Sequence, residues 1–212
     1  ICFVPLSVSG ESFFRRAILP REGEVIVYTI SCLKLMTHRP EETVRHLQKI
    51  YEDALRRMKK AVQKGYSLNF LGASLGNVLS LRAAAQGGEH VGNVVSLVGG
   101  AELGSSAWES VLTSGLAQTS GCVSMKEYEK KLSVFSPIKY ISKIKATLIV
   151  IRLGTRDLLI PYTQGQMLAE EFIKQGNKTG ATIDFRAYSG ADHCAALGMY
   201  SLERTLGLSS HQ

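Results

Sequence analysis

The feature that most constrains this chain is an alternation. Short, nearly continuous apolar runs rich in β-branched residues, "ICFVPL", "EVIVYTI", "LNFLGA", "NVVSLVG", "ATLIVIRLG" and "ATIDFRAY", are separated by stretches of helical periodicity. A strand that is apolar on both sides of its pleat must be covered on both faces, as happens in a parallel sheet with crossover helices. The helical stretches supply that cover. Residues 11–19 form a short one, and residues 41–64 follow Pro40, a favoured first-turn residue, and stop at Gly65. Residues 75–86 stop at Gly87 and Gly88, residues 162–175 stop at Gly176, and Ala195 to Leu206 is the last helix. The pattern predicts an α/β fold, a mostly parallel sheet of about six strands flanked by helices on both faces, in one domain over 1–212.

A chain of 212 residues, 45% hydrophobic and 20% charged, is long and apolar enough to bury one sizeable core. No apolar run approaches the roughly 20 residues a bilayer span needs, so no transmembrane segment is expected. Ile1 opens the chain inside an apolar run, which leaves open a targeting signal upstream. Cys2, Cys32, Cys122 and Cys194 form no Cys-x-x-Cys pair, which signals neither a zinc site nor a disulfide framework. Reduced thiols in a cytoplasmic protein are the expectation.

The net charge of +7 raises the question of an anionic partner. Its densest run, "RRMKK" at 56–60, lies in a segment where Val44, Leu47, Tyr51, Ala54, Met58 and Ala61 recur every three or four residues. Arg56, Arg57, Lys59 and Lys60 fall off that stripe, so a solvated helix face is preferred to a nucleic-acid patch.

One segment breaks the rhythm. Between Gly100 and Lys145 the chain spends more residues than a crossover needs, much of it Ser- and Gly-rich. Such a length suits either a partial cap over the carboxyl edge of the sheet or a surface excursion. Trp108, Leu112, Met125, Tyr128 and Tyr162 are candidates to line a ligand pocket beneath it, and equally candidates for ordinary core; Trp108, Met125 and Tyr162 are taken forward as substrate-binding candidates. "GGAELG" at 99–104 lacks the Lys-Ser or Lys-Thr of a phosphate loop.

Ligands of open α/β sheets bind outside the carboxyl ends of the strands. After the third run comes Gly72-Ala73-Ser74-Leu75-Gly76, a sharp strand-to-helix turn. The serine of such a turn is strained, and glycines on both sides keep the bend clear of the adjacent strand and helix. The turn also puts Ser74 at a helix N-terminus, where backbone N–H groups favour an oxyanion. A serine oxygen needs a base, normally a histidine held by a carboxylate. "RLGTRDLLIP" places Asp157 just past the fifth run, and "YSGADHCAAL" places His193 just past the sixth. His38, His46, His90 and His211 follow no strand at that edge, while Asp192, Glu102 and Asp184 are the rival acids.

Ser74, Asp157 and His193, in that order after successive strands, resemble the elbow serine, acid and histidine of the α/β-hydrolase family. Gly154-Thr155-Arg156-Asp157, with Pro161 downstream, is similar to the family's acid turn, and the resemblance covers nearly the whole sequence. It implies an oxyanion hole from the N–H of Leu75 and an N–H after the first strand. "CFVPLSVSGESF" is similar to that loop in the thioesterase branch, which makes Leu6 the second donor, although Pro5-Leu6 replaces the His-Gly pair of many lipases. The family's two leading antiparallel strands are missing, so this is either a minimal six-stranded version or one whose first strands lie upstream of Ile1.

The resemblance implies a serine hydrolase of a small-molecule carboxylic ester or thioester, acting through an acyl-enzyme, with no metal or organic cofactor, and the charge pattern above gives no expectation of a nucleic-acid partner. Acyl transfer to an acceptor other than water uses the same residues, and a binding protein that keeps the fold without the chemistry is the other alternative.

Overall fold

The computed structural model describes residues 1–5 and 24–205. In chain order the elements are β1 (Cys2–Pro5), β2 (Val27–Ile30), α1 (Cys32–Leu35), α2 (Pro40–Gln63), β3 (Leu68–Ala73), α3 (Gly76–Gly87) and β4 (Val91–Leu97). They continue with α4 (Leu103–Glu109), α5 (Ser114–Gln118), α6 (Met125–Leu132), β5 (Leu148–Gly154), α7 (Tyr162–Thr179), β6 (Thr182–Tyr188) and α8 (His193–Thr205). The expected helix at 11–19 and the Leu6 donor lie outside the described residues.

All six described strands are parallel, in the order β2-β1-β3-β4-β5-β6. The chain steps outward from β1 to β2, then returns across β1 to β3 and proceeds to β6. That reversal puts a topological switch point between β1 and β3, where crossovers diverge and leave a crevice at the carboxyl ends.

Alternation along the strands builds two cores. Phe3, Phe70, Val94, Ile149, Ile151 and Leu153 face α2, α3 and α7, whereas Cys2, Val4, Leu71, Ala73 and Val150 face Ala196, Leu197 and Tyr200 of α8. Helices therefore cover both faces. On α2 the buried stripe is Pro40, Thr43, Leu47, Tyr51, Ala54 and Met58. Full burial of side chains such as Leu47 and Met58 is worth about 1.5–3 kcal/mol each, so tertiary packing fixes this helix. Arg56, Arg57, Lys59 and Lys60 are exposed, and both arginines pair with Asp53.

Two helix ends differ from expectation. Gly176 does not stop α7, because it lies inside the helix where a Cβ would come within 2.7 Å of Ile183 Cγ1. The helix runs on to Thr179 and ends at Gly180, which takes the left-handed φ of +77°. The last helix begins two residues before Ala195, at His193, because the Asp192 carboxylate accepts the Ala195 N–H at 2.8 Å and sets the first turn.

The segment 100–145 folds into α4, α5, α6 and three short 3-10 turns. Leu103, Ala107, Ala117, Tyr128, Leu132 and Phe135 join the core formed with α2, α3 and α7. A half-buried carboxylate holds its two main pieces together. Glu129 of α6 accepts the N–H groups of Gly104 (2.6 Å) and Ser105 (3.2 Å) in the first turn of α4, and the Ser136 hydroxyl at 2.5 Å. Among the described residues no helix is long and apolar enough to cross a membrane.

Burial pushes the Glu129 carboxyl above its ordinary range, outweighing these donors. The folded state therefore binds the Glu129 proton more tightly than the unfolded chain, and stability falls as pH rises above about 4.3, the ordinary glutamate value. Wild type should lose stability relative to Glu129→Gln between that pH and neutrality, as measured by urea unfolding at a series of pH values. A difference that does not change with pH contradicts this account of the clamp.

Candidate active site

β3 leaves the sheet beside the switch point, and the residue it delivers is Ser74. With φ at +54°, Ser74 sits in the left-handed region, which costs a residue with a Cβ roughly 1–3 kcal/mol. Its surroundings hold it there. The Ser74 N–H donates to Leu97 O of β4 at 2.9 Å, and the Ser74 carbonyl accepts the Asn77 N–H at 3.0 Å. Buried Asn77 adds a strap, its Nδ2 donating to Leu97 O at 2.8 Å. The flanking glycines are required by contact distance. A Cβ on Gly76 would lie 2.2 Å from Phe3 O of β1, and one on Gly72 would lie 2.7 Å from Ser80 Cβ of α3.

Val98, at the end of the neighbouring strand β4, also has positive φ, at +45°. A β-branched residue there is an outlier. Its N–H donates to Arg152 O of β5 at 2.8 Å, so the exits of β3, β4 and β5 are tied in series. Leu75 follows Ser74 with helical φ and ψ, and its N–H falls among the first-turn groups that have no partner within a helix.

Two strands away, Asp157 follows β5. One carboxylate oxygen, Oδ1, accepts the N–H groups of Leu159 and Ile160, both at 2.9 Å. The other, Oδ2, lies 2.7 Å from His193 Nδ1. Both side chains are buried, at 3% and 8% exposure, which keeps solvent from competing for this bond. A carboxylate holding Nδ1 fixes the tautomer, since Nδ1–H must donate and the neutral ring then has its lone pair on Nε2.

The loops after β5 and β6 are stitched to bring this pair together. Thr155 N–H donates to Tyr188 O (3.1 Å), Arg156 N–H to Ala191 O (2.9 Å), and Gly190 N–H to Thr155 Oγ1 (2.8 Å). Gly154 permits the approach, since a Cβ there would stand 2.5 Å from Ala191 O and 2.7 Å from Asp192 O. Ser74 and Asp157 leave strands separated by one neighbour, a spacing of roughly 10 Å.

The rival acids are engaged elsewhere. Asp192 caps α8, Glu102 accepts the Ser105 hydroxyl at 2.7 Å, and Asp184 pairs with Arg152. His46 lies on α2 with Nδ1 3.3 Å from Leu35 O, His38 precedes that helix, and His90 lies in the turn before β4. His211 is outside the described residues.

Trp108 is partly buried on the core, its ring tilted against Tyr128 at 5.9 Å, and Tyr128 is fully buried. Tyr162, the first residue of α7, also packs on the core, while Met125 is exposed at the start of α6. Sequence reasoning did not single out Val111 and Leu158. Both are 65% exposed, they are joined by a 3.1 Å bond from Val111 N–H to Leu158 O, and Leu158 adjoins Asp157. With Leu112 they make an apolar lip at the acid loop; the "DLLIP" run was the available signal. Among the described residues no group of three or more His, Cys, Asp or Glu is placed to hold a metal.

Several solved structures share this architecture. The chain is similar to a Mycobacterium tuberculosis puromycin-hydrolyzing peptidase, with 19% identity and a TM-score of 0.55 over 74% of this chain and 24% of that one. It is similar to uncomplexed Pyrococcus horikoshii acylaminoacyl peptidase, with 13% identity and a TM-score of 0.60 over 96% of this chain and 35% of that one. TT1662 from Thermus thermophilus matches with 19% identity and a TM-score of 0.57, over 97% of this chain and 88% of that one. The chain thus spans only 24% and 35% of the two peptidases. No protein-family model and no curated protein sequence matches it. Likeness at this identity is likeness of fold, and the chain has the α/β-hydrolase fold.

The close approach of Gly76 to β1 makes a direct prediction. Gly76→Ala pushes a Cβ into a backbone carbonyl that cannot rotate away, and should cost at least about 3 kcal/mol or prevent folding. Gly115→Ala, with open space around it, should be neutral or stabilise by up to about 1 kcal/mol. Denaturant midpoints of the two variants decide the matter, and equal midpoints contradict it.

Proposed function

We propose that this chain is a serine hydrolase in which Ser74 is the nucleophile, His193 the base and Asp157 the group that orients His193. The observation that carries the proposal is the buried 2.7 Å contact between Asp157 Oδ2 and His193 Nδ1, at the same sheet edge as a serine held at positive φ. Backbone strain at Ser74 and a carboxylate buried beside an imidazole both lower stability, and together at one sheet edge they match a serine nucleophile with a held base.

In the proposed reaction Ser74 Oγ attacks the substrate carbonyl while its proton passes to His193 Nε2. Asp157 stabilises the imidazolium that results. The N–H of Leu75, with that of Leu6 as second donor, receives the negative oxygen of the tetrahedral intermediate, at about 3 kcal/mol per donor. The leaving group departs with the proton from Nε2, giving an acyl-enzyme. Water then gives its proton to Nε2 and attacks, and the proton returns to Ser74 Oγ as the carboxylic acid is released. No metal or organic cofactor enters this scheme.

The substrate is proposed to be a small carboxylic ester or thioester with an apolar acyl group. Segment 100–145 would act as a partial cap, with Val111, Leu112 and Leu158 as the apolar lip beside Trp108, Met125 and Tyr162. A second reading, hydrolysis of an amide bond in a small peptide, is favoured by two of the structural neighbours being peptidases. The same site transfers the acyl group to an alcohol or amine where one outcompetes water.

A fluorophosphonate probe tests the nucleophile. Wild type should be labelled and Ser74→Ala should not; labelling that survives the substitution removes Ser74 from the role. Against p-nitrophenyl esters, acyl thioesters and aminoacyl anilides of graded length, Ser74→Ala should lose on the order of 10⁴–10⁶-fold in kcat. Asp157→Asn should lose about 10⁴-fold. Turnover of the anilides alone would select the peptide reading.

A further inference from the structure

The proposed reaction makes no use of the largest buried polar side chain among the described residues. Arg152 lies on β5, on the face packed by α8, with its side chain 1% exposed. Its Nε donates to Glu203 Oε2 of α8 at 3.0 Å and its Nη2 to Asp184 Oδ2 of β6 at 2.7 Å. Its Nη1 donates to Asp184 O at 2.8 Å and Ile151 O at 3.1 Å, and the guanidinium stands 5.9 Å from the centre of the Tyr200 ring. Glu203, 8% exposed, also pairs with Arg186.

We infer that Arg152 and Glu203 are positioning residues that fix the seat of α8 and thereby hold His193 against Asp157. The inference rests on the reading of Ser74, Asp157 and His193 as a hydrolytic site.

A buried ion pair is a poor source of stability. Replacing one with apolar groups of similar volume is often neutral or stabilising, by up to about 4 kcal/mol. What it supplies is direction. Ala196, Leu197 and Tyr200 press α8 onto the sheet, but apolar contact is non-directional and tolerates sliding. A slip of one residue moves a helix by about 1.5 Å and turns it by about 100°, enough to swing His193 off Asp157. Misplacement by about 1 Å can cost 100-fold in rate. Glu203 lies ten residues from His193, toward the other end of the same helix, so the two residues pin α8 at two points. Arg152 is also the residue whose carbonyl receives the Val98 N–H, which ties this anchor to the strand exits beside Ser74.

The test separates rate from stability. Arg152→Met, Asp184→Asn and Glu203→Met are combined, and p-nitrophenyl butyrate hydrolysis is measured well below the unfolding midpoint. The expected result is a midpoint at or above that of wild type, kcat lower by about tenfold or more, and KM within twofold. Fluorophosphonate labelling should slow in parallel, and the far-downfield proton resonance of the His193–Asp157 bond should be lost. Wild-type kcat with the network removed overturns the inference. Should the triple variant not fold, Glu203→Met alone removes the acceptor on α8 while Asp184 still pairs with Arg152, and kcat should fall at least twofold with KM unchanged. An unchanged kcat in that variant overturns the inference equally. Failure of the underlying functional reading looks different, since wild type itself would then escape labelling at Ser74.

Discussion

The proposed chemistry depends on one residue held in a conformation it would not choose alone. Ser74 has a left-handed backbone, and an isolated serine would relax out of it at a gain of a few kcal/mol. It stays because β3 and α3 cannot approach β1 in any other way. Gly76 abuts Phe3 O, and the Ser74 N–H and Asn77 side chain share Leu97 O. Each restraint is small, and together they exceed the strain. The serine side chain is thereby delivered at the switch point of the sheet, where ligands of such folds bind.

A second constraint places the imidazole. The loops after β5 and β6 exchange hydrogen bonds across Gly154, and Asp192 starts α8 so that His193 is its first residue. Asp157 has one oxygen on the backbone of Leu159 and Ile160 and the other on the ring. A carboxylate fixed at both oxygens cannot rotate, so its direction becomes the direction of the imidazole. Under the same helix, Arg152 and Glu203 form a directional contact where apolar packing alone would permit slippage.

Much of this was legible in the sequence, for a physical reason. Strands apolar on both faces and helices with a single apolar stripe announce a covered parallel sheet, and residues following strands must lie at its carboxyl edge. The apolar runs put Ser74, Asp157 and His193 at that edge, and they do follow β3, β5 and β6. Local signals misled where a residue had a tertiary task. Gly176 reads as a helix stop but is a contact with Ile183. Asp192 reads as a rival acid because it neighbours His193, yet it caps the helix. Contacts between distant residues left no local trace. The strap from Asn77 to Leu97, the turn at Val98, and the cluster of Arg152, Asp184 and Glu203 each join residues that nothing in the one-dimensional pattern links.

The central claim is that Ser74 and His193 meet over the edge of the sheet closely enough to exchange a proton. A crystal structure of the protein after reaction with diisopropyl fluorophosphate measures this directly. The expected adduct has phosphorus bonded to Ser74 Oγ, a phosphoryl oxygen facing the Leu75 N–H, and His193 Nε2 within about 3.2 Å of an ester oxygen. An adduct on another residue, or an imidazole turned away from Ser74 with its Asp157 bond intact, contradicts it.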